Sequence, residues 1–187
     1  MNDISSFCTH RRTFLKMGVS AFITTVFTHP ALAAVNPKDR EHRVLSFYNI
    51  HTGETLKTCY RSGGKLIHRA LNRISHIMRD HRTGEIKPVD PDLLDLLHCI
   101  VMEGKPRSPL SIISGFRSPS TNAALRKATT GVAPKSLHME GRAIDIRIPG
   151  YQTTELRQLA VDLHCGGVGY YPESDFVHLD TGPVKVW

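Results

Sequence analysis

The stretch Ser136-Leu-His138-Met-Glu-Gly141-Arg-Ala-Ile-Asp145 decides how this chain is interpreted. From Ile144 to Ile148 every second residue is isoleucine, and this period of two predicts a β-strand with one buried face. Asp145 lies between the isoleucines and is expected on the opposite face. Gly141 lets the backbone turn, so the imidazole of His138 is expected to fold back toward the Asp145 carboxylate.

A second stretch, Phe176-Val-His178-Leu-Asp180, alternates in the same way and places His178 and Asp180 on one face. Neighbouring strands lie about 4.8 Å apart, so pairing of the two stretches would bring His178 to His138 and Asp145. Two imidazoles and a carboxylate are a donor set that catalytic zinc uses, with the fourth position left for water. We therefore expect one zinc ion per chain and a hydrolase.

The chain has eleven histidines, so a single His/Asp spacing of this kind can arise by chance. The prediction therefore depends on several motifs taken together. Further motifs extend it: Ile113-Ser-Gly-Phe-Arg-Ser118, Gly166-Gly-Val-Gly-Tyr-Tyr-Pro172 and Phe176-Val-His-Leu-Asp-Thr-Gly182. Together they resemble the zinc D,D-carboxypeptidase and endopeptidase superfamily that cuts peptidoglycan peptides. More closely, they resemble the periplasmic murein endopeptidases of the MepK type. The likeness runs from about Arg43 to Trp187.

The resemblance implies a partner, peptidoglycan, and roles for two more residues. Arg117 matches the arginine that stabilises the developing oxyanion, a fixed charge of the kind that lowers such barriers. Ser136 matches the serine that hydrogen-bonds the terminal carboxylate or the peptide backbone of the substrate. The alternative to this catalytic role is that Arg117 only forms an ion pair on the protein surface.

The general base has two candidates. In the wider superfamily it is often a glutamate three residues before the last zinc histidine, and Asp175 occupies that position here. Asp180 is the other candidate and is preferred, because strand residues two apart share a face. Alternatively, Asp180 holds the imidazole of a zinc ligand in place.

The remaining patterns indicate an α+β fold in one domain, with a small antiparallel sheet that carries the zinc site and helices packed on it, as in the Hedgehog/D,D-peptidase fold. Strands are expected over 43–50, 55–60, 109–113, 141–148, 166–171 and 176–180, and helices over 65–80, 90–104, from Ser118, and from Thr153 or Thr154 to Leu163. Asp90 and Pro91 are expected as the N-cap and first residue of the second helix.

The first 33 residues resemble a twin-arginine export signal. Arg11 and Arg12 precede an apolar run from Met17 to Leu32, and Ala31-Leu-Ala33 is a small-x-small cleavage site. An uncleaved anchor is less favoured, because threonines and Pro30 leave the run short of the ~20 apolar residues that a spanning helix needs. We expect a signal peptide over 1–33, a linker over 34–42 and a zinc metallopeptidase domain over 43–187. We also expect transient binding to the twin-arginine translocase, no stable membrane insertion after cleavage, and a location in the periplasm of a Gram-negative bacterium.

The formal net charge is +7, of which +2 belongs to residues 1–33 and +5 to the rest. A basic surface suits an anionic polymer such as peptidoglycan. Nucleic acid is not expected, because the chain is exported and shows no basic stripe with interleaved aromatic residues.

The expected function is zinc-dependent hydrolysis of peptide cross-links in peptidoglycan during cell-wall growth and remodelling, including links between two meso-diaminopimelate residues. Two alternatives remain. One is a D,D-carboxypeptidase that trims terminal D-alanine, and the other is a metal-stabilised peptidoglycan-binding module without turnover.

Overall fold

A computed structural model describes residues 42–128 and 132–187. It has eight strands in one sheet: β1 His42–Asn49, β2 Thr55–Ser62, β3 Lys65–Leu66, β4 Leu110–Ser114, β5 Ala143–Arg147, β6 Gly167–Tyr171, β7 Phe176–Asp180 and β8 Lys185–Val186. The helices of the described ranges are α1 His68–Ile77, α2 Pro91–Gly104, α3 Pro119–Ala128 and α4 Thr153–Leu163, with a 3₁₀ helix over Leu137–Glu140. None of these helices is long and apolar enough to span a membrane. The expected signal peptide, and the expected linker up to residue 41, lie outside the described residues.

The fold is a single α+β domain, as expected, but the predicted small antiparallel sheet is wrong. The sheet is large and mixed, with the order β3-β2-β1-β4-β5-β7-β6-β8. β1 pairs with β4 in parallel, and so does β6 with β8. Between β1 and β4 the chain forms the β1–β2 hairpin and crosses over through α1 and α2, which is the kind of connection that parallel neighbours require. Strand periodicity does not report this pairing, so the sequence reading had no means of joining the hairpin to the rest of the sheet.

The core lies between the sheet and helices that carry apolar residues at helical spacing. α2 is its centre, since Leu93, Leu94, Leu97 and Ile100 are fully buried. The predicted start of this helix is confirmed, because the Asp90 side chain accepts a hydrogen bond from the Asp92 amide at 3.0 Å and Pro91 follows the cap.

β5 differs from the expected strand with one buried face. Ala143, Ile144, Asp145 and Ile146 are all at most 3% exposed. The isoleucine face meets the core, while the 3₁₀ helix and the segment after β4 cover the Asp145 face. That second layer is short and irregular, so it has no periodic signature in the sequence.

Candidate metal centre

The pairing of β5 with β7 brings two of the expected ligands together. These strands are antiparallel neighbours, and Asp145 is the direct cross-strand partner of His178. Cross-strand partners point to the same face of a sheet. The predicted adjacency of the two stretches is therefore present in the structure.

His138 reaches the same face because the chain reverses after the 3₁₀ helix. Gly141 has a φ of 71°, in the left-handed region, and a Cβ there would lie 2.4 Å from the Pro88 carbonyl oxygen. The His138 Nδ1 lies 2.7 Å from the Gly115 carbonyl oxygen. Since a carbonyl can only accept, Nδ1 carries the proton and Nε2 is left as a donor atom for a metal.

Three donor atoms converge on this face. His138 Nε2 lies 3.2 Å from Asp145 Oδ1 and 3.1 Å from His178 Nδ1. His178 Nδ1 lies 2.8 Å from the same Asp145 oxygen. Ligand atoms of a tetrahedral zinc ion with bonds of about 2.0 Å are about 3.3 Å apart, so the observed separations fit zinc. In the described part of the chain this is the group of histidine and acidic side chains that could hold a metal ion.

Asp180 holds the His178 ring from the other side. Its Oδ2 lies 3.0 Å from His178 Nε2, and its Oδ1 accepts hydrogen bonds from the Gly167 amide at 3.1 Å and the Gly182 amide at 2.7 Å. Carboxylate, imidazole and metal in this order are a common arrangement that orients a ligand histidine. These contacts favour the positioning role for Asp180.

Arg117 lies behind the Asp145 carboxylate. Its Nη2 donates to Asp145 Oδ2, and its Nε donates to the Ser114 hydroxyl at 2.8 Å. The Arg117 amide donates to the His138 carbonyl at 3.2 Å. The guanidinium is thus fixed beside the donor atoms, where it orients Asp145 and keeps positive charge near the reacting face.

The electrostatics of the three donors follow from burial and mutual contact. Burial lowers the pKa of His138. For Asp145, burial opposes ionisation, but the His138 and His178 rings and Arg117 hold the pKa well below its usual range. Burial also opposes charge on His178, yet its hydrogen bonds to Asp145 and Asp180 raise its pKa to about 9. A metal at this site therefore has to replace a proton on His178 Nδ1.

The structure does not bring Asp175 to these ligands. Asp175 lies in the β6–β7 turn with a backbone φ of 51°, in the left-handed region, and its side chain is 62% exposed. Among the described residues its carboxylate contacts Arg147 at 3.6 Å and Thr153 at 3.3 Å. Ser136 lies two residues before His138, is 9% exposed, and does not cap the 3₁₀ helix that follows it.

The sequence reading missed groups that complete the site. Gly115 supplies the carbonyl for His138, and Trp187 lies beside His178 with ring centroids 5.3 Å apart. The Gly-x-Gly spacing at Gly167 and Gly169 was the available signal. On the site face of β6 these two positions leave room for the Asp180 carboxylate and the Trp187 indole, which a Cβ would meet at 2.5 Å and 2.8 Å.

Two imidazoles and one carboxylate, converging on a sheet face beside an arginine, are typical of a mononuclear metallohydrolase. The Peptidase_M15_2 family, described as "Peptidoglycan L,D-endopeptidase MepK", matches residues 38–187, and the chain belongs to this family.

Two relatives are similar in sequence to nearly the whole chain. "Peptidoglycan L,D-endopeptidase MepK" of Escherichia coli (strain K12) is 39% identical over 184 residues, covering 98% of this chain and 100% of that protein. A Haemophilus influenzae protein named "Probable peptidoglycan L,D-endopeptidase MepK" is 38% identical over 180 residues, covering 95% of each. Among solved structures, the Serratia marcescens L-Ala D-Glu endopeptidase ChiX matches 41% of this chain and 62% of its own, with 18% identity and a TM-score of 0.33.

Proposed function

We propose that this protein is a zinc-dependent murein endopeptidase that hydrolyses peptide cross-links in peptidoglycan. The observation that carries the proposal is the convergence of His138 Nε2, Asp145 Oδ1 and His178 Nδ1 within 3.2 Å of one another, in a chain of this peptidase family. The three residues hold one zinc ion. Bound zinc lowers the pKa of a water ligand to about 7 and polarises a carbonyl group, so an amide can be attacked at neutral pH.

The neighbouring residues orient the two imidazoles and the Asp145 carboxylate. Gly115 and Asp180 fix the tautomers of the two imidazoles by taking the N–H that faces away from the donor cluster. Arg117 keeps Asp145 Oδ1 turned toward the imidazoles by binding Oδ2, and supplies positive charge to an oxyanion on this face. Ser136, at the start of the 3₁₀ helix, binds the substrate backbone or a terminal carboxylate.

The general base stays a prediction. Both oxygens of Asp180 are engaged, one by His178 and the other by two amides, which supports the positioning role over the role of base. Asp175 reaches a base position only if its side chain leaves Arg147 and Thr153.

The relatives are named L,D-endopeptidases, which supports cleavage of cross-links that include those between two meso-diaminopimelate residues. A D,D-carboxypeptidase is the alternative enzyme. A metal-stabilised binding module is the alternative without turnover, and the fixed Arg117 beside the donors favours the enzyme over it.

The place of action is the periplasm, reached through the twin-arginine translocase with cleavage after Ala33. The support is the motif around Arg11 and Arg12 and the family's link to peptidoglycan. The mature net charge of +5 suits the anionic cell wall, so neither nucleic acid nor stable membrane insertion is part of the proposal.

The test is a digest of purified sacculi with the zinc-loaded mature protein, followed by mass spectrometry of the muropeptides. We expect cross-linked dimers to fall and monomers to rise, with activity lost after chelation and restored by zinc. His138→Ala should lose both zinc and activity. Release of terminal D-alanine alone would establish the carboxypeptidase, and binding without any new product would establish the module.

A further inference from the structure

An exposed aromatic surface lies next to the metal centre. Seven large hydrophobic side chains are exposed in the described part of the chain, and four of them lie in or beside β6 and β8: Tyr171, Val184, Val186 and Trp187. Tyr171 stacks on Phe176 with ring centroids 4.6 Å apart, and the Trp187 indole donates from Nε1 to the Tyr171 hydroxyl at 3.1 Å. We call Tyr171, Phe176 and Trp187 the aromatic shelf.

The shelf belongs to the same sheet face as the metal ligands. Phe176 precedes His178 by two residues in β7, and Tyr171 is the cross-strand partner of Phe176. In β8, Lys185 pairs with Gly167, so Trp187 two residues later returns to this face. A substrate that lies over the metal donors therefore continues onto the shelf on the β6 side.

The indole is held in place although it is 47% exposed. It lies on Gly169, the cross-strand partner of His178, in space that a side chain would fill. The Trp187 amide donates to the Val168 carbonyl at 3.1 Å, and the Trp187 carbonyl accepts from the Tyr170 amide at 2.9 Å. A fixed and exposed ring binds a ligand with little ordering cost, which is how preorganised sites gain affinity.

A cation accompanies the rings. The Lys185 ammonium lies 5.6 Å from the Trp187 ring centroid, and Lys185 is exposed on the ligand face. Aromatic faces beside a free ammonium match a ligand that combines aliphatic carbon with a carboxylate. A peptidoglycan stem peptide has both, since it combines aliphatic carbon with the free carboxylates of its D-Glu and meso-diaminopimelate residues.

We propose that the aromatic shelf and Lys185 form a subsite for the peptide stem on one side of the scissile amide. Arg117 approaches the donors from the β4 side, through Ser114, and the shelf lies on the β6 side. Asp145 and His178 lie between them. The stem segment that leaves the metal centre away from Arg117 packs its aliphatic carbons on Trp187 and Tyr171 and places a carboxylate at Lys185. The subsite rests on the proposed function for its ligand.

The test uses the fluorescence of Trp187, which is the single tryptophan of the chain. The zinc-loaded mature protein is titrated with the free stem tripeptide L-Ala–γ-D-Glu–meso-diaminopimelate, which contains no cross-link, and with the same tripeptide on its disaccharide. We expect a saturable change in emission with both. Lys185→Gln and Tyr171→Ala should each weaken the affinity for the tripeptide about tenfold, because each variant loses one contact with the ligand. Both variants keep Trp187, so its fluorescence still reports binding.

Tyr48→Ala is the matched control, since Tyr48 is 38% exposed in β1, away from the shelf. It should leave the affinity unchanged. A response confined to the disaccharide ligand would assign the shelf to the sugar and overturn the proposal, as would equal affinities in all three variants. Cleavage of sacculi by the same protein is measured separately, so the shelf and the proposed activity can fail independently. For Trp187→Ala we expect a KM about tenfold higher, with kcat and zinc content unchanged.

Discussion

The His178 imidazole lies between two carboxylates, with Asp145 Oδ1 at 2.8 Å from Nδ1 and Asp180 Oδ2 at 3.0 Å from Nε2. The two carboxylates have different surroundings. Asp145 also binds Arg117 and faces the donor cluster, whereas Asp180 is held by the amides of Gly167 and Gly182. These surroundings support the proposal that Asp145 is a metal donor and that Asp180 holds the His178 ring in place.

The Asp180→Asn change tests this division at the residue scale. An amide in place of the carboxylate keeps the size but holds the His178 ring less firmly, so zinc affinity should fall about 10-fold to 100-fold. Competition with a metal-sensitive chelator measures the change. Asp175→Asn is the control, and its zinc affinity should match the wild type because Asp175 is 62% exposed and contacts Arg147.

Turnover measured at saturating zinc distinguishes the two possible roles of Asp180, which are to hold the His178 ring and to act as the general base. If Asp180 is only a support, activity should recover when zinc is in excess. A loss of about 100-fold or more with zinc fully bound would instead identify Asp180 as the general base. If only Asp175→Asn lost turnover by this factor, Asp175 would be the general base, at the position that the base often has in the wider superfamily.

At the scale of elements, the turn after α1 supports the segment that carries Arg117. Met78 accepts a hydrogen bond from the Phe116 amide at 2.7 Å, and Gly115 packs so closely on Met78 that a Cβ would lie 2.4 Å from its carbonyl oxygen. Asp80 is buried and accepts from the Ser118 amide at 2.8 Å. A turn far in sequence from His138 and Asp145 thus positions both Arg117 and the Gly115 carbonyl.

Asp80→Asn should destabilise the fold in a pH-dependent way. Burial opposes ionisation of Asp80, but hydrogen bonds from the Thr121 side chain and from the Ser118 and Arg82 amides lower its pKa to about 2. A depressed pKa contributes stability that is present above the unfolded value of about 4 and is lost as pH falls toward 2. The contribution at pH 7 is about 2 to 3 kcal/mol, because lowering the pKa from about 4 to about 2 stabilises the fold by about 1.4 kcal/mol per pH unit.

Urea unfolding of both proteins at several pH values measures the effect. The difference between wild type and Asp80→Asn should be largest at pH 5 to 7 and shrink below about pH 4. Asp162→Asn is the control, because Asp162 is exposed and bonded to Gln158 on the surface of α4. A difference that stays constant down to pH 2 would show that the charge of Asp80 is not the cause.

At the scale of the whole molecule, the site is assembled from distant segments of one sheet. His138 and Asp145 come from the 3₁₀ helix and β5, while His178 comes from β7 and Trp187 follows β8. α4 and β6 lie between the two sets in sequence, so the donors converge only after β7 has inserted between β5 and β6. A metal ion could therefore bind before export only if the chain is exported in its folded state.

Changing Arg11 and Arg12 together to Lys tests the export route of the whole chain. The twin-arginine reading predicts that the precursor accumulates in the cytoplasm, because the paired arginines are the recognised feature. Fractionation and blotting of the precursor and mature forms measure the result, with Arg40→Lys, outside the predicted signal, as control. Unimpaired delivery of the double variant would indicate the general secretory route and leave the metal centre proposal as it is.

The sequence by itself determined the local features of this protein. The strands β5 and β7, the cap at Asp90 and the turn at Gly141 each depend on residues close in the chain, and the structure has all of them. The motifs also placed the chain in its peptidase family, which the relatives confirm. The spacing of residues within each of these motifs is local information.

Only the tertiary structure decided how the segments meet. The parallel pairing of β1 with β4 made the sheet mixed, because strand period does not encode the partner of a strand. Asp180 and Asp175 differ in their surroundings, because Asp180 contacts His178 and Asp175 contacts Arg147. The spacing of residues in the sequence does not specify these contacts. The indole of Trp187 reached His178 because Gly169 leaves space at the paired position. Contacts between residues distant in the chain depend on packing, and packing is decided by the folded molecule as a whole.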